Sequence, residues 1–479
     1  MKFGIFSIAC LLAFACSQPA KVNLSQIDAE EAAGNFTKAT QLIDLYMAQN
    51  DLSEEVVYQF NWRKEKMHRI ALDFHVTKEA ALEYIRKYYP DVNDDSLARW
   101  EAEKSLEFKL IDGEKRYFDR GAPNLFRLDK YAVARKAEMT TDTKDVLNDT
   151  LNHHIQRIVD NIRKHGGSQT APVAMKIKYS VTLKPDVVPD GETVSCWLPF
   201  PREDNRRQSE VKLLSVNDSN YIVSPNDYHH KTVYMQKTAR QGEPLKFEIT
   251  FSYRAVGEWF DPEHADIKPY RKEEALYKEY IAERPPHVVF TDSIKSLSAR
   301  LIGDEKNPYL IARKIFEYVD IRYPWAGARE YATIDNIPLY VMENGHGDCG
   351  QVTLLFITLA RYNGIPARWQ SGFMLHPGRV NLHDWGEYYL EGIGWIPVDQ
   401  SFGLKGFDDT ACKYFYASGM DSYRMVVNND YAMPLFPAKI YPRSDDVDFQ
   451  RGELEWRGGN LYYDKWKWNI EVEKYDYRF

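Results

Sequence analysis

The 479-residue sequence has few cysteines, no surplus of basic residues and no second long apolar run. Its net charge of −8 argues against nucleic acid as a partner, because no basic surplus is present to neutralise phosphates. After the N-terminus there is no apolar stretch of the length, about 18 residues, that a membrane helix needs. No internal repeat and no low-complexity tract occurs. These absences favour an ordinary globular body of two to four domains.

The usual motifs of metal sites are also missing. The sequence contains neither Cys-x-x-Cys nor His-Glu-x-x-His, and its best candidate Cys, His and Asp residues are far apart along the chain. A zinc site is therefore disfavoured. We predict an activity that needs no metal and no cofactor.

The cysteines divide into two groups, Cys10 and Cys16 near the start and Cys196, Cys349 and Cys412 in the globular body. An odd number in an oxidising compartment leaves at least one free thiol. A Cys196–Cys412 disulfide has no supporting signal, and each of these two residues is typical of a small core side chain. The sequence around Cys349 differs from that around the other two cysteines and indicates a different role.

The first residues are predicted to be a targeting segment. Residues 1–15 combine a positive start, an apolar stretch too short for a standard span, and small residues before Cys16. This resembles a bacterial lipoprotein signal with lipidation at Cys16, followed by a tether over residues 16–30. Ala13 stands where leucine is usual, so plain secretion remains the alternative. We predict an exported lipoprotein anchored at a membrane, on the periplasmic face or the cell surface.

Hydrophobic periodicity predicts two domains after the tether. Residues 31–166 repeat apolar positions with the helical period, as at Leu42, Leu45 and Tyr46, and are predicted to form a helical domain. Residues 167–256 alternate strictly, as from Met175 to Leu183. That pattern predicts the half-buried strands of an antiparallel β-sandwich.

Three further segments complete the predicted architecture. Residues 257–287 form a charged connector, and helical signals resume in a catalytic domain over residues 288–415, where Asn307 caps a helix that starts with proline. Residues 416–479 are aromatic and turn-rich, which predicts a C-terminal β extension closed by a hairpin around 457–460. The fold class is predicted to be α+β with several domains.

Cys349 is predicted to begin a buried helix. The apolar residues after it follow the helical period, and Asn363-Gly364 is a strong helix stop. The positive end of the helix dipole stabilises a thiolate there. The free N–H groups of the first turn can also hold a developing oxyanion. We predict that Cys349 is a nucleophile.

A thiol nucleophile needs a base and a group that orients the base. His383 lies in a predicted strand, and Asp399 ends the next predicted strand. A helix followed by adjacent strands lets the three side chains converge at one end of a sheet. We therefore predict a catalytic triad of Cys349, His383 and Asp399.

Other residues compete for these roles. His346 precedes the nucleophile and His376 lies at a Pro-Gly turn, so His383 alone combines a strand with the right chain order. Asp384 follows His383 directly and would face away from it on a strand. We predict that His346, Asp384 and Trp385 line the rim of the cleft.

These motifs resemble the transglutaminase-like superfamily over residues 288–404. The resemblance rests on Gly-Asp-Cys-Gly, Gly-Ile-Pro-Ala-Arg, His-Asp-Trp and Gly-Trp-Ile-Pro-Val-Asp, at 347–350, 364–368, 383–385 and 394–399. The preceding Cys-Trp-Leu-Pro-Phe-Pro at 196–201 is similar to the β domain often found before bacterial members. The resemblance implies a papain-like core, metal-free catalysis through a thioester, and a second oxyanion donor upstream of the cysteine. Tyr323 and Trp325 are candidates for that donor, and Gln351 is expected near the cleft or solvent.

The predicted function is cysteine-dependent acyl transfer. Our leading hypothesis is a thiol protease or amidase that hydrolyses peptide amide bonds, including those of cell-wall peptides or glycoproteins. An amine acceptor in place of water would make it a protein-glutamine transglutaminase. A third hypothesis, from a different class, is a non-catalytic lipoprotein that binds peptides or glycans.

Overall fold

The computed structural model describes residues 21–140 and 146–477. The predicted signal peptide and the predicted lipidation site, Cys16, lie outside the described residues. In the described part of the chain, 15 helices accompany several antiparallel sheets, which confirms the α+β class. No helix within these ranges is both long enough and apolar enough to cross a membrane.

One compact unit contains the described residues up to Leu72 together with Lys109–Arg116. Its helices are α1 (Leu24–Ala32), α2 (Phe36–Gln49) and α3 (Glu54–Asp73), which ends one residue beyond the unit. The N-terminus of α1 is stabilised by a capping box between Asn23 and Gln26. The prediction of a tether over residues 16–30 is therefore wrong from Leu24 onward, because Ile27 buries its side chain in a small helical core.

The second unit contains Asp73–Phe108 and Tyr117–Phe479. Its first helices are α4 (Lys78–Arg86), α5 (Asp94–Ala102), α6 (Gly121–Leu128), α7 (Lys130–Met139) and α8 (Val146–His165). The hairpin of β1 (Phe108–Ile111) and β2 (Glu114–Tyr117), between α5 and α6 in the sequence, belongs mainly to the first unit. The predicted helical domain, residues 31–166, is thus divided between the two units. Its last helix, α8, packs into the same hydrophobic core as the helices of the predicted catalytic domain.

The residues predicted to form a β-sandwich contribute strands to two sheets. These strands are β3 (Val173–Leu183), β4 (Thr193–Pro199), β5 (Gln208–Val216), β6 (Tyr221–Val223), β7 (Thr232–Thr238) and β8 (Leu245–Ala255), followed by the short β9 (Glu258–Trp259). The alternating residues of β3 are buried as predicted, with Ile177, Tyr179 and Val181 fully enclosed. Cys196 is a buried free thiol, and Cys412 is also free.

The C-terminal segment completes both sheets of the sandwich. Its strands β15 (Glu453–Trp456), β16 (Gly459–Asn460) and β17 (Trp466–Tyr477) give the sheet orders β16-β15-β4-β7-β6 and β17-β3-β8-β5. The predicted closing hairpin is limited to β15 and β16. The prediction of a separate extension is wrong, because apolar residues of β17, such as Trp468 and Ile470, pack against the sandwich core.

The predicted catalytic domain pairs a buried helix with a four-stranded sheet. Its helices are α9 (Ala275–Ile281), α10 (Asp292–Ile302), α11 (Pro308–Arg322), α12 (Ile337–Asn344), α13 (Cys349–Tyr362), α14 (Thr410–Lys413) and α15 (Phe415–Ser418). Its strands are β10 (Ala367–His376), β11 (Arg379–Leu390), β12 (Gly394–Val398) and β14 (Arg424–Asn428), in the order β12-β11-β10-β14, while β13 (Gly419–Met420) pairs with β9. The predicted Asn307 cap and the predicted stop after Tyr362 are both confirmed.

Candidate active site

Cys349 is the first residue of α13, as predicted. Asp348 caps the helix: its carboxylate accepts the Gln351 N–H at 3.0 Å, and the Gln351 side-chain oxygen accepts the Asp348 N–H at 3.1 Å. Because Gln351 closes this capping box, its side chain is fully buried, so the prediction that it faces solvent or the cleft is wrong. The N–H groups of Cys349 and Gly350 lie in the first turn, so they have no carbonyl partner within the helix.

The thiol of Cys349 has a carboxyl neighbour. Cys349 is partly exposed, and its Sγ donates a hydrogen bond to Oδ2 of Asp384 at 3.3 Å. Burial, together with the nearby carboxyl groups of Asp384 and Asp348, raises the pKa of the Cys349 thiol well above its ordinary value. These effects oppose the stabilisation of a thiolate that a helix N-terminus provides.

Asp384 belongs to a buried polar cluster. Its Oδ1 accepts a hydrogen bond from Nε2 of Gln450 at 2.7 Å, and its Oδ2 accepts one from the Tyr331 hydroxyl at 3.1 Å. The Tyr331 hydroxyl also lies 2.8 Å from Oδ1 of Asp348. Asp384 is only 3% exposed, so the prediction that it lines the cleft rim is wrong. Hydrogen bonds therefore connect the thiol to a buried polar cluster.

Burial raises the pKa values of the carboxyl groups in this cluster. Burial and the neighbouring carboxyl groups of Asp448 and Asp348 raise the pKa of Asp384 well above its ordinary value. Burial also raises the pKa of Asp348, to about 6. These shifts follow from desolvation and like-charge repulsion, which both disfavour the carboxylate.

Gly350 is required by the close packing of the cluster. A Cβ atom at this position would lie 2.2 Å from the Tyr331 hydroxyl oxygen, 2.7 Å from the Trp369 ring and 2.8 Å from Oδ2 of Asp384. No side chain fits there without displacing the groups around the thiol. This close packing explains why the last position of the Gly-Asp-Cys-Gly motif requires glycine.

His383 and Asp399 form a buried pair. Nε2 of His383 lies 2.7 Å from Oδ2 of Asp399, whose other oxygen accepts the Phe402 N–H at 3.2 Å. Burial alone would raise the pKa of Asp399, but His383 and Arg424 outweigh it and hold that pKa at about 2. Burial lowers the pKa of His383 even though Asp399 opposes the change.

The Cys349–Asp384 pair and the His383–Asp399 pair lie on opposite faces of β11. Asp384, Gly386 and Tyr388 face α13. A Cβ at Gly386 would lie 3.5 Å from the Thr353 methyl, and Tyr388 packs against Phe356. His383 points to the other face, since neighbouring residues of a strand alternate. The structure thus brings His383 to Asp399 but, among the described residues, forms no hydrogen bond between His383 and Cys349.

A buried ion network supports the His383–Asp399 pair. Arg424, on β14, donates to Oδ2 of Asp399 at 3.1 Å and lies 2.9 Å from Oδ2 of Asp421. Asp421 in turn lies 3.3 Å from His376, which ends β10 and is only 2% exposed. Sequence analysis missed Arg424 and Asp421, as it missed Tyr331 and Gln450, because no local pattern shows that these residues approach the site.

Two further residues predicted for the cleft rim are buried. His346 is 4% exposed, and its burial lowers its pKa to about 4. Trp385 is fully buried, and its indole N–H donates to Oε1 of Gln370 at 2.9 Å. The rim prediction is wrong for Trp385, whose side chain fills interior space. His346, although largely buried, borders a pocket that Lys104 and Arg322 also line.

The two predicted oxyanion candidates differ in their surroundings. Tyr323 ends α11 and is 6% exposed, which is typical of a core side chain. Trp325 is 43% exposed, and its backbone forms a parallel bridge with Gly347, next to the nucleophile. Trp325 is therefore the better placed of the two. Within the described ranges no group of three or more His, Cys, Asp or Glu side chains is arranged to hold a metal ion.

Comparison with known proteins agrees with the resemblance. Residues 295–400 match the family model of the transglutaminase-like superfamily. An uncharacterised protein of Haemophilus influenzae is 23% identical over 256 residues, covering 45% of this chain and 66% of that protein. The match thus spans slightly less than two thirds of that relative.

Two solved structures match this chain at low sequence identity. A protein from Cytophaga hutchinsonii, named provisionally as a cysteine protease, has a TM-score of 0.44 at 14% identity, covering 65% of this chain and 94% of that chain. The periplasmic domain of TgpA from Pseudomonas aeruginosa has a TM-score of 0.28 at 12% identity, covering 49% of this chain and 93% of that chain.

Proposed function

We propose that this chain, whose residues 295–400 form a transglutaminase-like domain, is a cysteine-dependent acyl-transfer enzyme that hydrolyses peptide amide bonds. The observation that carries the proposal is the placement of Cys349. Its thiol is partly exposed at the first residue of a buried helix, within hydrogen-bonding distance of a proton acceptor at 3.3 Å. A nucleophile beside a proton acceptor is the basic requirement of covalent acyl transfer.

The proposed reaction starts with attack of the Cys349 sulfur on the carbonyl carbon of an amide. The N–H groups of Cys349 and Gly350, at the positive end of α13, are placed to stabilise the negative charge that develops on the carbonyl oxygen. The tetrahedral intermediate expels the amine and leaves a thioester on the sulfur. Water then hydrolyses the thioester and restores the thiol.

Two groups are candidates for the proton acceptor. The resemblance favours His383, which Asp399 orients at 2.7 Å. Hydrogen bonding to the thiol favours Asp384. The nucleophile and the reaction class are the same in both cases.

The acceptor of the acyl group distinguishes a hydrolase from a transglutaminase. We expect the full chain, incubated with a peptide library and a fluorescent primary amine, to release cleaved peptides without incorporating the amine. We prefer water as the acceptor of the acyl group because of the predicted setting, an exported lipoprotein with peptide substrates. Mass spectra that show amine-labelled glutamine and no cleavage would establish a transglutaminase instead.

We also propose that the protein is exported and anchored through lipid on Cys16. The support is the sequence of the first residues, with small side chains before this cysteine. In bacterial cells fed a clickable fatty acid, the wild-type protein should be labelled and fractionate with membranes. The Cys16→Ala variant should lose the label, and equal labelling of both proteins would refute the assignment.

A further inference from the structure

An exposed indole lies beside the nucleophile. Trp325 is half-exposed, and its segment pairs with the segment that leads to Cys349. The Ala326 N–H donates to the Gly347 carbonyl at 3.1 Å, and the Gly347 N–H donates to the Pro324 carbonyl at 3.4 Å. Because Gly347 is only two residues before the nucleophile, the indole borders the space through which a substrate reaches the thiol.

A guanidinium group lies over this indole. The central carbon of the Arg127 guanidinium is 4.4 Å from the centroid of the Trp325 ring. Arg127 lies in the last turn of α6, and Asn124 of the same helix holds the segment after the tryptophan. The Asn124 side chain donates to the Gly327 carbonyl at 2.9 Å and accepts the Gly327 N–H at 2.8 Å. The ring attracts the cation but supplies no opposite charge, so a positive group is fixed at the edge of the site.

Two further arginines lie near Arg127, and the three together are called the arginine cluster. Burial and the neighbouring guanidinium groups of Arg120 and Arg379 lower the pKa of Arg127. Arg120 packs against Gly327, where a Cβ would lie 3.1 Å from Cγ of the arginine. These contacts place the cluster around the exposed indole.

Arg379 connects the arginine cluster to the second pair of the candidate site. It is the first residue of β11, and its pairing with β10 is continuous as far as His383 and beyond. Because side chains alternate along a strand, Arg379 lies on the same face as His383, four residues later. The cluster therefore lies near both Cys349, through Trp325, and His383, through β11.

The arginine cluster has little opposite charge around it. Arg120 lies 3.4 Å from Asp119, but among the described residues no carboxylate pairs with Arg127 or Arg379, and both side chains are exposed. The whole chain contains more acidic than basic residues, 70 against 62, so this local excess of positive charge runs against its composition. Like charges held together repel, and an anion bound between them removes that repulsion. A carboxylate suits the site because a guanidinium group can donate to both of its oxygens.

We propose that the arginine cluster and Trp325 form a subsite that binds a carboxylate of the peptide substrate, so that the enzyme prefers acidic peptides. The proposal rests on the proposed acyl-transfer function and names the substrate class of the same site. The carboxylate belongs to an acidic side chain or to a free C-terminus, since both present the same group. The exposed indole contacts the adjoining part of the peptide. The subsite binds and orients the substrate and takes no part in bond making.

Matched peptides test the preference on the full chain. One cleavable peptide with an amidated C-terminus is made with glutamate or glutamine at a single position, and that position is moved along the peptide. At the best position we expect kcat/KM to be about 10-fold higher for glutamate than for glutamine, mainly through a lower KM. Added salt should reduce this ratio, because the subsite is open to solvent. A peptide with a free C-terminus and no acidic side chain shows whether a terminal carboxylate gives the same gain.

Variants of the cluster assign the preference to these residues. The double variant Arg127→Met, Arg379→Met should bring the glutamate-to-glutamine ratio to about one, and Arg379→Glu should favour a lysine peptide instead. Arg240→Met, which removes an exposed arginine from the turn after β7, should keep the wild-type ratio. If Arg127→Met prevents folding, the two Arg379 variants still decide. Equal kcat/KM for both peptides in the wild type, or a ratio that survives in the double variant, would overturn the proposal.

Binding without turnover separates the subsite from the proposed function. Fluorescence polarisation measures the affinity of labelled glutamate and glutamine peptides for Cys349→Ala, with and without the two arginine substitutions. We expect tighter binding of the glutamate peptide only when the arginines are present. If that difference is found but the wild-type protein cleaves no peptide, the proposed function fails and the subsite stands. If peptides are cleaved with no preference for the carboxylate, the subsite fails and the proposed function stands.

Discussion

Replacing Cys349 by alanine is expected to reduce amide hydrolysis by about 10⁴-fold or more, because the sulfur forms the covalent bond to the acyl group. The residue is partly exposed, and its thiol is hydrogen-bonded to Asp384. Its loss should therefore change the melting temperature little. Progress curves with a cleavable peptide and a thermal melt on the same preparation measure both quantities.

Cys412→Ala is the matched control for this variant. Cys412 is another free thiol, 1% exposed in α14, where burial raises its pKa to about 11. Removing a small buried side chain should lower stability slightly and leave turnover unchanged. Turnover that survives in Cys349→Ala would show that Cys349 is not the nucleophile. Faster labelling of Cys412 than of Cys349 by a thiol probe would favour a protein that binds without catalysis.

Replacing Arg424 by methionine is expected to destabilise the fold by about 3–5 kcal/mol, the usual cost of breaking a buried ion pair from one side. The guanidinium is fully buried between Asp399 and Asp421, at 3.1 Å and 2.9 Å. Without it both carboxylates are left with fewer partners in a desolvated site. Chemical denaturation at neutral pH measures the loss directly.

The pH dependence of this loss has a definite sign. Arg424 and His383 hold the pKa of Asp399 at about 2, below its ordinary value, so their stabilisation is present at neutral pH and disappears as the pH falls towards 2. The deficit of Arg424→Met should therefore be largest near neutrality and shrink in acid. An equal deficit at every pH would show that lost packing, and not charge, explains the effect.

Arg457→Met provides the control for the ion network. Arg457 pairs with Glu192 on the surface, and its side chain is 78% exposed. Exposed ion pairs contribute little to stability, so this variant should melt close to the wild type. A similar loss in both variants would contradict the role given to the buried network.

Local signals predicted the elements around the nucleophile well. The helical period after Cys349 and the Asn363-Gly364 stop predicted the bounds of α13. Strands β11 and β12 contain the two strands predicted at His383 and before Asp399. The alternation from Met175 to Leu183 predicted strand β3 equally clearly. Each of these patterns depends on neighbours in sequence, which is why the sequence alone was sufficient.

Long-range packing explains what sequence analysis missed. Alternation showed that His383 and Asp384 face opposite ways, but not which face α13 covers. That choice depends on the pairing of β11 with strands and helices far along the chain. The same holds for Arg424 and Gln450, which reach the site from the C-terminal segment. Gln351 was misplaced because its cap role is visible only together with Asp348.

The most direct test of the central claim is intact-protein mass spectrometry after rapid mixing with an activated peptide ester. A cysteine nucleophile predicts a transient mass increase equal to the acyl group, mapped by digestion to Cys349 and absent from Cys349→Ala. The adduct should decay as hydrolysed product accumulates. Product formation with no adduct on Cys349, or an adduct of equal size in Cys349→Ala, would contradict the account.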